Sequence, residues 1–329
     1  MKSKFLLAAV AAALAASVAT AAESAAPKAE AARPRVKVVA TTFPIYDWTR
    51  QVLGDRLAET DLVLLQQSGV DLHSYTPSAS DLRTIASCDL FAFVGGESDE
   101  WTERALAQPG KPIRRVLSLV KALGSAAKEE KSVEGMEEEH HDHGADHDED
   151  EHEIDEHVWL SLRNAATLVK AIAAELSALD PANAAAYRAN ADAYCGRLAA
   201  LDREYAKVVA GAARKTVLVA DRFPFRYLAD DYGLEYFAAF AGCSAESEAS
   251  FKTVAFLAKK VDELKLPVIL TMEGARHKIA ETVRRTTKSG DQRILTLDSL
   301  QSTDGKSAKT ARYLDAMAKN LEVLKEALN

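Results

Sequence analysis

The sequence predicts an α/β fold of two lobes, each a mainly parallel sheet flanked by helices, joined by one long helix. Three observations carry this. Short β-branched or apolar runs alternate with helical periodicity along most of the chain, the pattern of parallel strands with crossover helices. The alternation comes in two blocks. Between them, from about Ala182 to Ala210, runs a helical pattern whose one internal glycine is Gly196. At 1.5 Å per residue it would be roughly 40 Å long, enough to reach across two lobes.

The 329 residues suit one large or two ordinary domains, and 48% apolar residues suffice for a core. Lys2 and Lys4, the alanine-rich apolar run from Phe5 to about Val18, and the small residues Ala19, Ala21 and Ala22 describe a secretory signal peptide over residues 1–22. No cysteine follows that run, so we expect an exported chain without a lipid anchor. Residues 23–35 read as a flexible leader. The first lobe is expected over 36–181, the spanning helix over 182–211 and the second lobe over 212–329.

In the first lobe, Val36–Ala40 reads as a strand. Tyr46–Leu53 reads as an amphipathic helix and Leu62–Leu65 as a second apolar run. The Gly69-to-Pro77 stretch is a loop by its Gly, Asp, Ser and Pro content. Ser80 is placed to cap a helix through Ala86, with Asp81 in its first turn. Leu90–Val94 is a buried-type strand ended by Gly95-Gly96. From Lys121 to about Asp155 hydrophobic periodicity is lost, and we expect a disordered insertion. Order resumes at Ile154, and Leu162–Leu179 is helical, ending at Asp180-Pro181. In the second lobe, strands are expected at Thr216–Ala220, Leu234–Phe240, Val268–Thr271 and Arg293–Leu297. Helices are expected at Phe225–Tyr232, Glu248–Leu264, Ala275–Thr286 and Ala308–Leu328.

The net charge of −8 is a local feature. Residues 137–156 hold twelve acids, five histidines and no Lys or Arg, so the chain without those acids is mildly basic. No basic stripe suggests nucleic acid. His140, His141, His143, His147 and His152 lie in this tract. Imidazoles with carboxylates suit zinc, and also copper or nickel, and a flexible chain can wrap them around an ion with little selectivity. His73 and His157 differ: each sits in or beside a loop near a strand or helix end, where ligands collect in open α/β sheets. The run from His152 to His157 looks like a zinc-protease motif, but that chemistry needs histidines four apart. Five apart puts them roughly 140° out of phase on a helix. The cysteines, Cys88, Cys195 and Cys243, are odd in number and match no zinc-binding spacing. Cys88 and Cys195 read as core residues, and whether either pairs with Cys243 is open.

These segments resemble the zinc- and manganese-binding solute-binding proteins of metal ABC importers, over essentially the whole mature chain. Thr41-Thr-Phe-Pro-Ile-Tyr fits the family opening. Gly69-Val-Asp-Leu-His-Ser-Tyr-Thr-Pro matches the loop of the first histidine ligand, here His73, and Asp155-Glu-His-Val-Trp-Leu the segment of the second, here His157. Ser177-Ala-Leu-Asp-Pro, with Tyr187, Asn190 and Leu198, looks like the start of the lobe-spanning helix. A His- and acid-rich insertion before the second ligand is typical of the zinc-binding members. The third ligand segment departs from the pattern. Arg222 stands where a His or Glu is usual, and a guanidinium offers no lone pair. Asp221 is placed either to replace that ligand or to cap a helix. Leu297-Asp-Ser-Leu resembles the family loop with a late aspartate, Asp298. Glu273, at a strand end, is held in reserve, and His277 reads as a surface or supporting residue.

The resemblance implies a cleft site of His73 and His157 from the first lobe and Asp298, with Asp221 or Glu273, from the second. It implies a periplasmic protein that binds zinc, with manganese as the alternative, and delivers it to the importer's membrane permease. It is expected to act as a monomer, with no enzymatic activity. A periplasmic metal buffer or chaperone is the second class considered. A metal-dependent hydrolase with Glu156 or Glu273 as general base is the third.

Overall fold

A computed structural model describes residues 35–107, 112–136, 153–244, 248–274 and 276–329. The signal peptide, most of the leader and the five histidines of the acidic tract lie outside the described residues.

The first half builds a four-stranded parallel sheet. Strand β1 (Val36–Ala40) leads into helix α1 (Phe43–Leu53) and strand β2 (Thr60–Leu64). Helix α2 (Ala79–Ala86), strand β3 (Leu90–Phe93), helix α3 (Trp101–Leu106), strand β4 (Arg115–Ser118) and helix α4 (Leu119–Leu123) follow. The strand order is β2-β1-β3-β4. The central strand β3 is buried along its whole length, which is why it reads as an unbroken apolar run. Helix α2 is capped by Ser78 rather than Ser80. The Ser78 hydroxyl accepts from Asp81 N, and the Asp81 carboxylate accepts from Ser78 N. This reciprocal box satisfies two donors, whereas a start at Ser80 would satisfy neither in this way.

Helix α5 (Leu162–Leu179) and helix α6 (Ala184–Gly211) form the centre. The 28 residues of α6 span about 42 Å. Its buried side chains, Tyr187, Ala191, Tyr194, Leu198, Tyr205 and Val209, recur at helical spacing. Asn190 Nδ2 donates to Val52 O of α1 at 3.0 Å. Near the other end, Tyr205 OH donates to Met317 O at 2.6 Å. The helix is therefore tied to both halves of the chain.

The second half repeats the pattern. Strand β5 (Thr216–Arg222), helix α7 (Arg226–Tyr232), strand β6 (Glu235–Phe240), helix α8 (Phe251–Leu264), strand β7 (Val268–Met272), helix α9 (Lys278–Thr286) and strand β8 (Arg293–Leu297) precede the closing helix α10 (Tyr313–Ala327). The sheet order is β6-β5-β7-β8, all parallel. Helix α10 reaches back to the first half. Tyr313 N donates to the buried Asp47 carboxylate of α1 at 2.7 Å, and the Trp48 and Tyr313 rings meet edge to face at 5.1 Å.

Three elements were not visible in the sequence, α3, β4 and α4. Strand β4 is four residues at a sheet edge, and its first two residues are exposed, so it carries no apolar run to recognise. Helices α8, α9 and α10 start three to five residues later than expected. Ser250 caps α8 by accepting from Thr253 N. Residues at both ends of the expected insertion are structured. Residues 121–123 complete α4, and Glu129 bridges Ile154. Val133 and Met136 pack on the core. Lys128 N donates to Tyr227 OH of α7 at 2.8 Å. Contacts with α7 supply what local apolar periodicity lacked. No helix among the described residues is long and apolar enough to cross a membrane.

Gly96, after β3, has φ +94°, and a Cβ there would come within 2.5 Å of the Glu156 carboxylate. Only glycine suits both conditions. We expect Gly96→Ala to cost about 1–3 kcal/mol of stability, read from denaturant unfolding; an unchanged midpoint would contradict this packing.

Candidate metal centre

His73 is carried by a short 3₁₀ turn, Leu72–Ser74, in the loop after β2. Asp71 starts that turn, and its Oδ1 accepts from His73 N at 3.0 Å. His157 follows the Ile154-to-Glu156 segment and precedes a second 3₁₀ turn, Val158–Leu160. Its ring is fully buried. The two imidazoles face one another, with Nε2 to Nε2 at 3.1 Å.

The remaining ring nitrogens are each held from behind. His157 Nδ1 lies 2.9 Å from Asp155 Oδ1, which also accepts from His157 N. His73 Nδ1 lies 2.7 Å from Ser98 Oγ and 3.6 Å from Glu156 Oε2. Such partners orient a ring and fix its tautomer. Asp155 is itself positioned by Tyr227, whose hydroxyl donates to Asp155 O at 2.9 Å.

The titration tendencies of the pair are opposite. Burial, then the His157 charge, pushes the His73 pKa down to about 3. Burial also works against a charged His157, but the Asp155 hydrogen bond and charge outweigh it and raise its pKa above the usual value. Which ring donates across the short contact depends on the tautomer, and both Nε2 atoms address one point. Beside them, burial pushes the Glu156 carboxyl up to about 7, against the hydrogen bonds from Ser98. Glu156 Oε2 has no hydrogen-bond partner although the residue is 1% exposed.

One group among the described residues brings three metal-ligating atoms within 4.8 Å of one another: His73, His157 and Cys243. Cys243 follows β6 in the second half. Burial, then the charges of Glu130, Asp155 and Glu156, pushes its thiol well above the ordinary range. Cys243 N donates to Glu130 Oε1 at 2.8 Å. The sequence reading did not place it at the site. The available signal was its position three residues past the end of a strand in an α/β half. None of the three cysteines forms a disulfide, and Cys88 is buried in the core as expected.

The second-half carboxylates lie outside this group. Asp298 Oδ1 accepts from Leu300 N at 2.8 Å, capping its own turn. Glu273 accepts from Ser299 N at 2.7 Å and from the Ser299 hydroxyl, tying the end of β7 to the loop after β8. Burial, then the nearby Asp298 charge, raises the Glu273 pKa to about 7. Asp221 accepts from Arg222 N at 2.9 Å and lies 3.5 Å from Met272 N. Backbone donors close at hand engage each carboxylate, and none of the three belongs to the group of His73, His157 and Cys243. His277 precedes α9, with Nδ1 3.0 Å from Thr271 Oγ1. The residue that cannot ligate, Arg222, turns toward the first half. Its Nη2 donates to Asp71 Oδ2 at 2.6 Å and its Nη1 to Ser244 O at 3.3 Å.

Comparison with known proteins matches residues 38–327 to the family of the periplasmic component A of zinc-uptake complexes. The high-affinity zinc uptake system protein ZnuA of Bacillus subtilis is 30% identical over 294 residues, covering 89% of this chain and 88% of that protein. The zinc-binding lipoprotein AdcA of Streptococcus pneumoniae is 32% identical over 292 residues, and this chain spans 56% of its length. That relative's name does not support the expectation of an unanchored chain. Among solved structures, the Zn(II)-bound ZnuA-like domain of S. pneumoniae AdcA superposes with a TM-score of 0.69 at 28% identity, covering 89% of this chain and 99% of that one. The metal-dependent lipoprotein YcdH of B. subtilis does so with 0.71 at 27%, again over 89% and 99%. The two parallel-sheet halves, the long joining helix and the match over nearly the whole described chain agree: this protein belongs to the family of periplasmic zinc-uptake component A proteins.

Proposed function

We propose that this protein captures zinc in the periplasm and delivers it to the membrane permease of an ABC importer, with His73 and His157 as two of the ligands. The observation that carries this is the 3.1 Å separation of two Nε2 atoms that address one point. Tetrahedral zinc bound at about 2.0–2.1 Å places neighbouring nitrogens roughly 3.3 Å apart, so the pair needs little adjustment to hold an ion. A cation takes the place of the hydrogen between the two Nε2 atoms, and Asp155 then stabilises the bound His157 imidazole by accepting from its Nδ1–H. Manganese, which prefers oxygen, is less well served: Asp298, Asp221 and Glu273 are engaged elsewhere. The chain's role is binding and transfer rather than turnover.

The acidic tract, with its five histidines, serves as an accessory gatherer of ions. Deleting residues 137–152 leaves one-to-one zinc affinity within a few-fold of the full chain by competition titration, judged against the 10–100-fold cost of losing even a supporting residue. A collapse of affinity would place the main site in the tract.

His73→Ala combined with His157→Ala abolishes tight zinc binding while circular dichroism retains the helix content. Unchanged affinity would remove both residues from the site.

Affinity also depends on pH, with a fixed sign. Binding needs the neutral imidazole, so a proton on the pair competes with zinc. The raised pKa of His157 means that acidification through the range above its ordinary 6.5 already lowers affinity, by up to about tenfold per pH unit for each proton displaced. An affinity that stays flat from about pH 8 to about pH 6 would contradict the raised pKa of His157.

A further inference from the structure

We infer that Cys243 supplies the third donor, so that zinc is held by His73 Nε2, His157 Nε2 and the Cys243 thiolate. This rests on the proposal that the two histidines hold zinc, and it names the ligand which that proposal leaves open.

The sulfur and one nitrogen of each imidazole lie within 4.8 Å of one another. Zn–N bonds of about 2.0 Å and a Zn–S bond of about 2.3 Å require donor separations of roughly 3.3–3.6 Å. The thiol therefore needs to move inward by no more than about 1.5 Å.

The loop that carries it is built for that approach. Gly242 has no side chain, and a Cβ there would lie 2.9 Å from Phe223 O and 3.3 Å from His157 Cε1. Any larger residue would push the loop away from the imidazole. Glu130 Oε1 holds the Cys243 backbone N–H. Arg222 holds the Ser244 carbonyl through Nη1 and Asp71 through Nη2. Asp71 in turn holds the His73 backbone N–H. One guanidinium thus ties the loop of the sulfur to the turn of the first imidazole. That pairing explains how a residue unable to ligate can stand at the usual ligand position: Arg222 positions the two loops, and the next strand's loop provides the donor.

The chemistry is coherent. On binding, the thiol loses its proton to solvent, the hydrogen between the two Nε2 atoms passes to solvent or to the other nitrogen of its ring, and one Zn–S and two Zn–N bonds form. Two imidazoles and a thiolate leave a fourth tetrahedral position, and they favour zinc over manganese.

The test uses the full chain loaded with cobalt(II) in place of zinc. The unsubstituted protein should show an intense sulfur-to-cobalt charge-transfer band in the near ultraviolet, which Cys243→Ser abolishes and Cys88→Ser and Cys195→Ser retain. Cys243→Ser and Cys243→Ala should each weaken zinc by at least about tenfold, since even outer partners of a metal ligand cost that much. The band needs no variant, so misfolding of a substituted chain does not obscure the answer. If the band is missing, and the Cys243 variants bind zinc as the parent does while the double histidine variant does not, Cys243 is excluded and the histidine site stands. If the double histidine variant also binds as the parent does, both readings fall.

Discussion

Two buried imidazoles facing each other across 3.1 Å are the constraint on which the rest of this structure depends. Two lone pairs cannot meet at that distance without a hydrogen or a cation between them. Asp155 stands behind His157 and favours positive charge on that ring. Asp155 and Glu156 are both almost fully buried, and a buried carboxylate is costly unless something positive offsets it. A divalent cation at the shared point would offset both.

The frame that keeps the rings apposed comes from distant parts of the chain. Beside His157, Trp159 donates its indole N–H to Ser299 O in the second half at 2.8 Å. Tyr313 of α10 donates its hydroxyl to Trp159 O at 2.5 Å. Tyr227 of α7 holds Asp155. Each such hydrogen bond contributes only about 0.5–1.5 kcal/mol net. Together with the packed helices α5 and α6 they hold the segment that carries His157 against both halves of the chain.

Arg222 shows how a departure from a family pattern is accommodated. Placing a guanidinium beside a cation site is unfavourable by itself. Here its charge is turned onto Asp71, and the two together are close to neutral. Burial works against ionising Asp71, but the Arg222 charge, with His73, keeps its pKa below the usual value. The repulsion a metal would meet is reduced, and the same contact connects the loops on either side of the site.

The sequence by itself determined the alternation of strands and helices, the bounds of α5 at Leu162–Leu179, the long helix, and the two histidines that now face each other. Those features are written in local periodicity, because each strand or helix face must bury its own apolar residues. Tertiary structure alone decided the edge strand β4, the contacts of residues 121–136, the partners of Asp221, Glu273 and Asp298, and the approach of Cys243. A carboxylate after a strand reads the same whether it faces a metal or its own backbone. A cysteine 86 residues from His157 carries no spacing signal. What brings that thiol near the imidazole is the missing side chain of Gly242 and the loops gathered at the strand ends, and neither leaves a period in the sequence.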